Sequence, residues 1–584
     1  MKWLQLGRLP IGRFPCHQRN DGFGRSKQRS SPRMARPGGK ESNRLLGPSI
    51  ATGICLLKTE RRRGAGQSQT ASILARFFLF RYRARSDVRG KRMEFNSKGS
   101  VVARRRHGFA VVAIAPLLLS ACGGSSPPAP TPTPTPVANR APVFTSATSA
   151  SVVENITKPV YQATASDPDG DALTFSITGG ADATSFTINA SGQLSFDTPP
   201  NFDLPGDANG DNVYEVQISV TDGKIATALA LTVTVTNSKE GVAVHRIATG
   251  FTDPVAIAPI NDTMMLVADK AGAIYLLNPQ SGSKTLLVQI ANVGTVGVTA
   301  IAAGTTFASD GTFFVMYATP AGLVINRYLR NPAGPTVPDN YGPLLAVSAS
   351  HYAGGGWLGY DANGVLLAAT GDAGGTGDPT GSAQDDSSDL GKVISFTPNP
   401  DPYAGASAQF FILKEIAKGL HEPNGGSVFN RGLLIADHGE NIAEEIDFLP
   451  TADSLKNFGW PFKEGTQVVR DGVPAGVVDP IAQYPHGTSA LTGQAIVGGA
   501  TGPSAVASLR DQYVFADGDG AIFAVDASSI QQGMTLPSSK FERRDEDFVP
   551  DRGAIDHAVA VTPGPAGTLY IVDADGDIFR VDGE

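Results

Sequence analysis

The sequence predicts an all-β protein in which a β-sandwich is followed by a six-bladed β-propeller. Residues 141–238 consist of short strand-like runs with turns between them and no helical pattern, which predicts the sandwich. One hairpin pattern then recurs six times: an apolar run usually ending at an Asp, a Gly-containing turn, and a second apolar run. The copies span residues 266–278, 313–329, 366–396, 433–449, 513–526 and 569–582.

The spacing of these copies favours a propeller. They lie roughly 45 to 80 residues apart, as expected for propeller blades, and radial closure of six blades protects the sheet edges. The alternative is a generic β-sandwich with Asp-Gly turns.

The net charge of −7 combines two opposite parts. Residues 1–92 hold 22 Lys or Arg and four Asp or Glu, about +18, so the remainder carries about −25. A nucleic-acid-binding arm is one interpretation of this basic segment. The signal that follows it favours another interpretation: translation begins at or near Met93, and residues 1–92 are an upstream over-extension, expected to be disordered.

Residues 93–122 have the three parts of a secretory signal. Arg104, Arg105 and Arg106 precede an apolar run over 109–119, and small residues lead to Cys122. The segment resembles a bacterial lipoprotein signal, which implies that Cys122 is lipidated and becomes the mature N-terminus. Gly123 then favours the outer membrane, so the resemblance implies a lipid-anchored protein of the cell envelope.

The mature chain would be acidic and free of disulfides. Cys16 and Cys55 precede the signal, and the chain from Cys122 carries about −28. This charge argues against nucleic acid as a partner. Residues 123–140 alternate Thr and Pro, which predicts an extended linker between the membrane and the domains.

The segment 141–238 carries acidic residues at its predicted turns. Its last two strands, with alternating Thr and Val, resemble the end of a cadherin-type repeat, as do five acidic positions: Glu154, Asp167, Asp169, Asp203 and Asp222. The resemblance implies calcium binding by these carboxylates, because Ca²⁺ takes several oxygen ligands at once. It also implies contact with another copy or another protein. Asp207, Asn209 and Asp211 form a second oxygen-rich loop, for which good turn chemistry is the alternative.

Residues 241–584 carry a more specific set of motifs. These are HYAGG from His351, TGD at 370–372, LGK at 390–392, GLHEPNGG at 419–426, ADHGENIAEEIDFL at 436–449 and NFGWP at 457–461. In this order they resemble the propeller of the glucose/sorbosone dehydrogenases, soluble aldose sugar dehydrogenases that use pyrroloquinoline quinone (PQQ).

The resemblance implies roles for particular residues. His351 would be the general base that takes the sugar hydroxyl proton during hydride transfer to PQQ. Gly439 and Glu440 fall where calcium meets the cofactor, and Glu445 falls at a structural calcium ligand. The function implied is oxidation of a sugar in the cell envelope.

The sequence departs from the family at the positions that hold PQQ. An Arg-Asn pair is replaced by His421-Glu422, two basic positions by Gly518 and Asp519, and an Arg pair near the last blade by Arg552 with Asp556. PQQ is a tricarboxylate, and an acidic pocket without Arg or Lys repels it. These losses favour a second function, a non-catalytic calcium-dependent protein that binds carbohydrate or protein.

The histidines leave several alternatives open. His351 is either the base or a hydrogen-bonded loop residue. His421, His438 and His486 either converge with His351 on a metal or are separate; His421 and His438 are also candidate ligands of a changed cofactor. Trp460 is interpreted as a packing residue rather than a sugar platform. No G-x-S-x-G, Walker, C-x-x-C or H-E-x-x-H motif occurs, which argues against hydrolases, nucleotide-binding proteins and zincins.

Overall fold

The computed structural model describes residues 137–584 except 332–333, 335, 339–341, 350–351, 353, 402–409 and 451–454. The predicted over-extension, the signal, Cys122, most of the linker and His351 therefore lie outside the described residues. The chain divides into the units 1–127 and 128–584, and every described residue belongs to the second. Among these residues, no helix combines the length and apolarity that crossing a membrane requires.

The first domain is a β-sandwich built from nine strands. One sheet has the order β2-β9-β8-β5 and the other the order β3-β7-β6, while β1 pairs with β4. In β9 the Val side chains point into the core and the Thr side chains point outward, as period-2 alternation predicts. The strands are β1 (Val143–Phe144), β2 (Ser149–Val153), β3 (Tyr161–Gln162), β4 (Ala165–Ser166), β5 (Thr174–Gly179), β6 (Phe186–Ile188), β7 (Gln193–Phe196), β8 (Val213–Thr221) and β9 (Ala226–Thr236).

The second domain contains six sheets of four or five strands among its described residues, mainly antiparallel and numbered here by the order of their innermost strands. The first strand of the domain, β10 (Val242–Ala248), belongs to the sixth sheet, which the end of the chain forms. The first sheet has β11 (Pro254–Asn261), β12 (Met264–Asp269), β13 (Ala273–Leu277) and β14 (Lys284–Gln289). The second has β15 (Val298–Ala303), β16 (Thr312–Thr319), β17 (Gly322–Leu329), β18 (Val337–Pro338) and β19 (Leu345–Ser348).

The third sheet has β20 (Gly356–Tyr360), β21 (Leu366–Thr370), β22 (Lys392–Pro398), β23 (Phe411–Lys418) and, later in the chain, β27 (Lys456–Asn457). The fourth has β24 (Glu422–Phe429), β25 (Gly432–His438), β26 (Ala443–Leu449), β30 (Ala482–Pro485) and β34 (Leu536–Pro537). A separate hairpin joins β28 (Lys463–Glu464) to β29 (Gln467–Val468).

The fifth sheet has β31 (Ile496–Thr501), β32 (Gln512–Asp517), β33 (Ile522–Asp526) and β35 (Glu542–Arg543). The sixth has β36 (Ala558–Pro563), β37 (Leu569–Asp573), β38 (Ile578–Gly583) and β10. The helices are short: α1 (Phe307–Asp310) and four 3₁₀ turns at Ala183–Ser185, Ala527–Ser529, Ser538–Lys540 and Pro565–Gly567.

The six sheets close into a ring, which confirms the propeller-type fold. Their first strands contact one another in the order β11, β15, β20, β24, β31 and β36, and β36 contacts β11. Because β10 pairs with β38, the start of the domain completes the last sheet and leaves no gap in the ring. The inner strands approach closely: a Cβ on Gly425 would lie 2.4 Å from Cα of Gly498, so only glycine fits there.

The Asp that ends many of the predicted hairpin runs has a structural task. It lies at the end of the second strand of a sheet and accepts backbone N–H groups from the loop before the first strand. Asp437 accepts from N of His421 (2.9 Å), and Asp573 accepts from N of His557 (2.9 Å). Asp517 accepts from N of Ala495 at 3.0 Å. These carboxylates fix the loops at one end of the ring.

Arg544 joins the two domains. Its buried guanidinium lies 3.1 Å from Asp203 of the sandwich, 2.8 Å from Glu240, 3.1 Å from Glu542 and 2.6 Å from Asp547. One cation cannot neutralise four carboxylates. Burial raises the pKa of Asp203 to about 8. Arg544 lowers this pKa, whereas the neighbouring carboxylates of Asp547 and Glu542 raise it further.

Candidate functional site

The predicted cofactor residues lie at the end of the ring where the inner strands begin. His421 directly precedes β24, His438 ends β25, and Glu422 is paired with His438 across the two strands. Gly439 and Glu440 follow in the next turn. The fold therefore places His421, His438, Gly439 and Glu440 at the same end of the ring.

His421 is buried and held from several directions. Its N–H donates to Asp437, its carbonyl accepts from N of Asp372 (3.0 Å), and its ring centre lies 4.3 Å from that of Trp460. Nδ1 of His421 lies 2.7 Å from the carbonyl oxygen of His438. Because a carbonyl only accepts, Nδ1 carries the proton. His421 therefore orients the turn that follows β25.

The TGD, LGK and NFGWP motifs form the framework of this ring end. Nε1 of Trp460 donates to Oδ2 of Asp372 (2.7 Å), and Lys392 donates to the carbonyls of Ser382 (2.7 Å) and Leu390 (2.8 Å). Trp460 is only 4% exposed, which confirms its packing role. The side chains of Asp372, Lys392 and Trp460 therefore support the structure of the ring end through contacts with one another and with the backbone.

Glu422 is surrounded by buried carboxyl groups and imidazoles. Burial raises the pKa of Glu422 and of Asp372, and it raises the pKa of Asp437 to about 7. The charged groups that act most strongly on Glu422 are His421, His438, Asp372 and Glu444. This set consists of two imidazoles and two carboxyl groups and contains no Arg or Lys.

His438 forms a cluster that the sequence did not predict in full. Its Nδ1 lies 2.9 Å from Oε1 of Glu444, and Nε2 of His486 lies 2.7 Å from the same oxygen. The rings of the two histidines are parallel within 11°, with centres 5.9 Å apart. Sequence reasoning named His438 and His486 but missed Glu444. The period-2 alternation of β26 could have found it, since it places Glu444 on the opposite face from Glu445.

Gly439 and Glu440 are tightly held. A Cβ on Gly439 would lie 2.0 Å from the carbonyl oxygen of Ala443, so glycine is required there. Oε1 of Glu440 accepts from N of Gly377 at 3.1 Å. Glu464 accepts from N of Asn441 at 2.7 Å and from N of Ala443 at 3.2 Å. The turn predicted to meet calcium is thus fixed by carboxylates on both sides.

Glu445 lies in a buried acidic group that suits calcium. It is paired with Asp437 across β25 and β26, and Asp447 projects from the same face two residues later. Asp447 is 0% exposed, and neither its oxygens nor Oδ1 of Asp437 has a hydrogen-bond partner among the described residues. Burial raises the pKa of Glu445 and Asp447. Unpaired carboxylate oxygens are the ligands that Ca²⁺ prefers, so these residues fit the implied structural calcium.

The sandwich residues predicted to bind calcium do not form one cluster. Asp222 precedes the first residue of β9, whereas N of Glu154 donates to the carbonyl of its last residue, Thr236 (3.1 Å). The two ends of this strand are roughly 30 Å apart. This corrects the expectation of a single cage holding Glu154, Asp167, Asp169, Asp203 and Asp222, because a sandwich separates residues at opposite strand ends. Calcium binding by a subset remains a prediction.

Each of these five carboxylates has a partner within the protein. Asp169 pairs with Arg140 (2.8 Å), and Asp222 accepts from Nδ2 of Asn139 (2.7 Å). Asp167 accepts from N of Asp169 (2.8 Å), and Glu154 accepts from N of Phe202 (2.9 Å). Asp203 contacts Arg544, as described above.

The second oxygen-rich loop behaves as a turn. Asp207 accepts from N of Asp211 (2.9 Å) and from N of Asn212 (3.1 Å), and Nδ2 of Asn209 donates to Asp211 (2.9 Å). These side-chain oxygens hold the backbone of their own loop. The contacts support the turn interpretation.

Two predicted residues stay untested. His351, the predicted base, and Cys122, the predicted lipidation site, lie outside the described residues. Tyr352, which follows His351 in the sequence, is buried and accepts from N of Gly371 at 3.0 Å.

The fold and this ring end define a β-propeller protein whose propeller is preceded in the sequence by an immunoglobulin-like sandwich. Residues 251–516 match the family described as Glucose / Sorbosone dehydrogenase, and residues 139–236 match the Bacterial Ig domain family. The resemblance of the propeller to sugar dehydrogenases is therefore confirmed. The sandwich fold is confirmed as well, and the family it matches is the bacterial Ig domain. No curated protein matches the chain.

Several solved structures are similar. The PQQ-bound aldose sugar dehydrogenase of Streptomyces coelicolor is 20% identical with a TM-score of 0.45; the match covers 59% of this chain and 98% of that one. The apo-form soluble aldose sugar dehydrogenase of Escherichia coli is 17% identical with a TM-score of 0.44, covering 59% and 100%. A calcium structure of a family AA12 protein of Trichoderma reesei is 15% identical with a TM-score of 0.43, covering 59% and 96%. Likeness at this level says nothing about activity.

The described residues do not fit PQQ held by cations. His421-Glu422 stands where the family has an Arg-Asn pair, Asp519 stands at a basic position, and Asp556 is exposed near another. Arg552 follows Asp551, whose N–H donates to Val244 of β10, the strand of the sixth sheet farthest from the ring centre. Three strand spacings, roughly 14 Å, separate β10 from β36, the strand of this sheet nearest the ring centre. Arg552 therefore lies far from the ring centre. A tricarboxylate would thus meet carboxylates where it needs Arg or Lys.

Proposed function

We propose that the propeller is a sugar-binding domain of the glucose/sorbosone dehydrogenase type, whose ring end around Glu422 and His438 takes an aldose. The observation that carries the proposal is the charge of this ring end. Its partly exposed polar groups include the carboxylates of Glu422 and Glu440 and the imidazoles of His438 and His486. The match of residues 251–516 to a sugar dehydrogenase family supports a sugar as the ligand.

The chemistry of these groups suits a neutral polyol. Sugar hydroxyls donate to carboxylates, and these charge-assisted hydrogen bonds are stronger than neutral ones. The same carboxylates repel an anionic cofactor or a phosphorylated sugar. The ligand class expected is therefore an uncharged aldose or glycan end.

Oxidation of the sugar is the second candidate function. It is supported by the presence of the TGD, LGK and NFGWP motifs, whose Asp372 and Trp460 are hydrogen-bonded to each other and whose Trp460 packs beside His421. In this case His351 would take the hydroxyl proton. The electron acceptor would have to be held by groups other than the missing cations.

The cell envelope is the proposed location. The support is the signal pattern ending at Cys122 and the Thr-Pro linker after it. A lipid on Cys122 would anchor the protein in the membrane, and the sandwich would provide a second surface for a protein partner. Mass spectrometry of the N-terminal peptide tests the lipid directly.

Isothermal titration of the purified protein with a panel of aldoses tests sugar binding. We expect saturable binding of at least one aldose, weakened about tenfold in Glu422→Gln, because one charge-assisted hydrogen bond contributes roughly 1.5–3 kcal/mol. Glu215→Gln, an exposed change in the sandwich, is the matched control and should bind as the wild type does. Absence of binding to every aldose and to oligosaccharides would contradict the proposal.

A further inference from the structure

The cluster of His438, Glu444 and His486 has the composition of a transition-metal site. The three side chains come from neighbouring strands of the fourth sheet: His438 ends β25, Glu444 lies in β26, and His486 follows β30. One nitrogen of each histidine and one oxygen of Glu444 all lie within 4.8 Å of one another. Two imidazoles and one carboxylate are ligands of Zn²⁺ and of similar divalent ions.

The distances between the ligand atoms suit an ion among them. Nδ1 of His438 and Nε2 of His486 lie 2.9 Å and 2.7 Å from Oε1 of Glu444. Ligand atoms held at about 2.0–2.2 Å from a tetrahedral metal lie roughly 3.3–3.6 Å from each other. Moving the two nitrogens away from Glu444 by roughly half an ångström or slightly more would therefore admit the ion.

One atom of the cluster has an unmet polar requirement. Nε2 of His486 is buried, and apart from Oε1 of Glu444 at 2.7 Å it has no polar partner among the described residues. A metal ion bound by both atoms would satisfy the nitrogen and the oxygen together.

The surroundings hold the ligands in place. Oε2 of Glu444 accepts from N of Ile496 (2.9 Å), and N of His486 donates to the carbonyl of Ile442 (3.0 Å). The carbonyl of His438 accepts from His421 at 2.7 Å. Outer partners of this kind orient metal ligands. Glu422 and Asp437 add negative charge beside His438, which favours a cation.

The cluster is closed on one side and accessible on the other. The side chain of Glu444 is 0% exposed, whereas those of His438 and His486 are each 22% exposed. Three protein ligands leave a coordination position free, as in zinc sites that bind water or substrate. We propose that His438, Glu444 and His486 bind a divalent transition-metal ion of the Zn²⁺ class, with the free position facing the ring end. This inference does not depend on sugar binding.

Metal titration of the untagged full-length protein tests the site. The protein is stripped with a chelator and resupplied with Ca²⁺, then titrated with Zn²⁺ by calorimetry and with Co²⁺ by visible absorption. We expect one ion per chain and Co²⁺ d–d bands of a site with nitrogen and oxygen ligands. His438→Ala and His486→Ala should each weaken Zn²⁺ binding by more than about 100-fold, since even outer partners contribute 10–100-fold.

Controls separate a built site from general histidine binding. His245→Ala removes a histidine that also faces a carboxylate, Asp551, at 3.3 Å, and should leave affinity unchanged. His486→Gln is used if circular dichroism shows that an alanine variant is misfolded. Absence of Zn²⁺ and Co²⁺ binding, or binding that all cluster variants retain, would overturn the inference. The metal titration contains no sugar, so its outcome does not depend on sugar binding. Failure of the metal site and failure of sugar binding are therefore distinguishable.

Discussion

Oδ2 of Asp437 accepts the backbone N–H of His421 at 2.9 Å, so a carboxylate near the end of β25 fixes the residue that precedes β24. Asp517 and Asp573 hold the corresponding loops in the fifth and sixth sheets. The ring end is therefore held by a repeated contact between one strand end and the start of another. This contact explains why an Asp recurs in the hairpin pattern.

Asp517 should be among the most destabilising positions to truncate. It is fully buried and accepts from Oη of Tyr484 (2.9 Å) and from N of Gln494 and Ala495 (3.0 Å each). Asp517→Ala leaves these donors unpaired, and we expect it to lower the free energy of unfolding by about 3–5 kcal/mol. Urea denaturation measures the change. The exposed substitution Asp471→Ala should stay within about 0.5 kcal/mol of the wild type; equal effects would contradict the assignment.

Arg544 should be essential for the joint between the domains. Arg544→Met leaves Glu240, Glu542 and Asp547 without their shared cation, and breaking a buried ion pair costs about 3–5 kcal/mol. Calorimetry should show a lower melting temperature. Arg543→Met is the matched control, because Arg543 is about one-third exposed and its pair with Asp545 is worth at most about 1 kcal/mol. A stable Arg544→Met variant would refute this role.

The raised pKa of Asp203 gives the stability a pH dependence with a defined sign. Between about pH 4 and its folded pKa of about 8, Asp203 is protonated in the folded protein and ionised in the unfolded chain. The folded state then binds more protons, so the free energy of unfolding falls as the pH rises through this window. Asp203→Asn should reduce this fall, which melting curves between about pH 5 and about pH 8.5 would detect. An identical pH profile in the variant would show that Asp203 does not cause the fall in the free energy of unfolding.

Calcium should stabilise the protein through the buried group at Glu445. Saturating Ca²⁺ at about 100 times its dissociation constant stabilises a folded protein by about 2.7 kcal/mol. Asp447→Asn should abolish this gain. Without calcium the variant should be at least as stable as the wild type, because it removes a buried carboxyl that has no hydrogen-bond partner among the described residues. Asp169→Asn in the sandwich should keep the gain; if it loses the gain instead, the calcium lies in the sandwich.

The fold was predictable because its signals are local. Alternating residues in β9 and the Asp-Gly turns of the hairpins act over a few positions, and they predict strands and turns directly. The framework around Trp460 was predictable through the family motifs. The Arg544 joint was not, because it brings Asp203 and Arg544 together across more than 300 residues of sequence. The alternation of β26 could have indicated Glu444, but its pairing with His486 was not predictable, because His486 follows a different strand of the sheet.

The central claim is that the ring end binds a neutral sugar and not an anionic quinone. Calorimetric titration of PQQ, and separately of aldoses, into the purified protein with calcium tests it most directly. We predict aldose binding that weakens in Glu422→Gln, no detectable binding of PQQ, and no dye reduction. Tight PQQ binding with aldose-dependent dye reduction that disappears in His351→Ala would contradict the claim and establish the dehydrogenase instead.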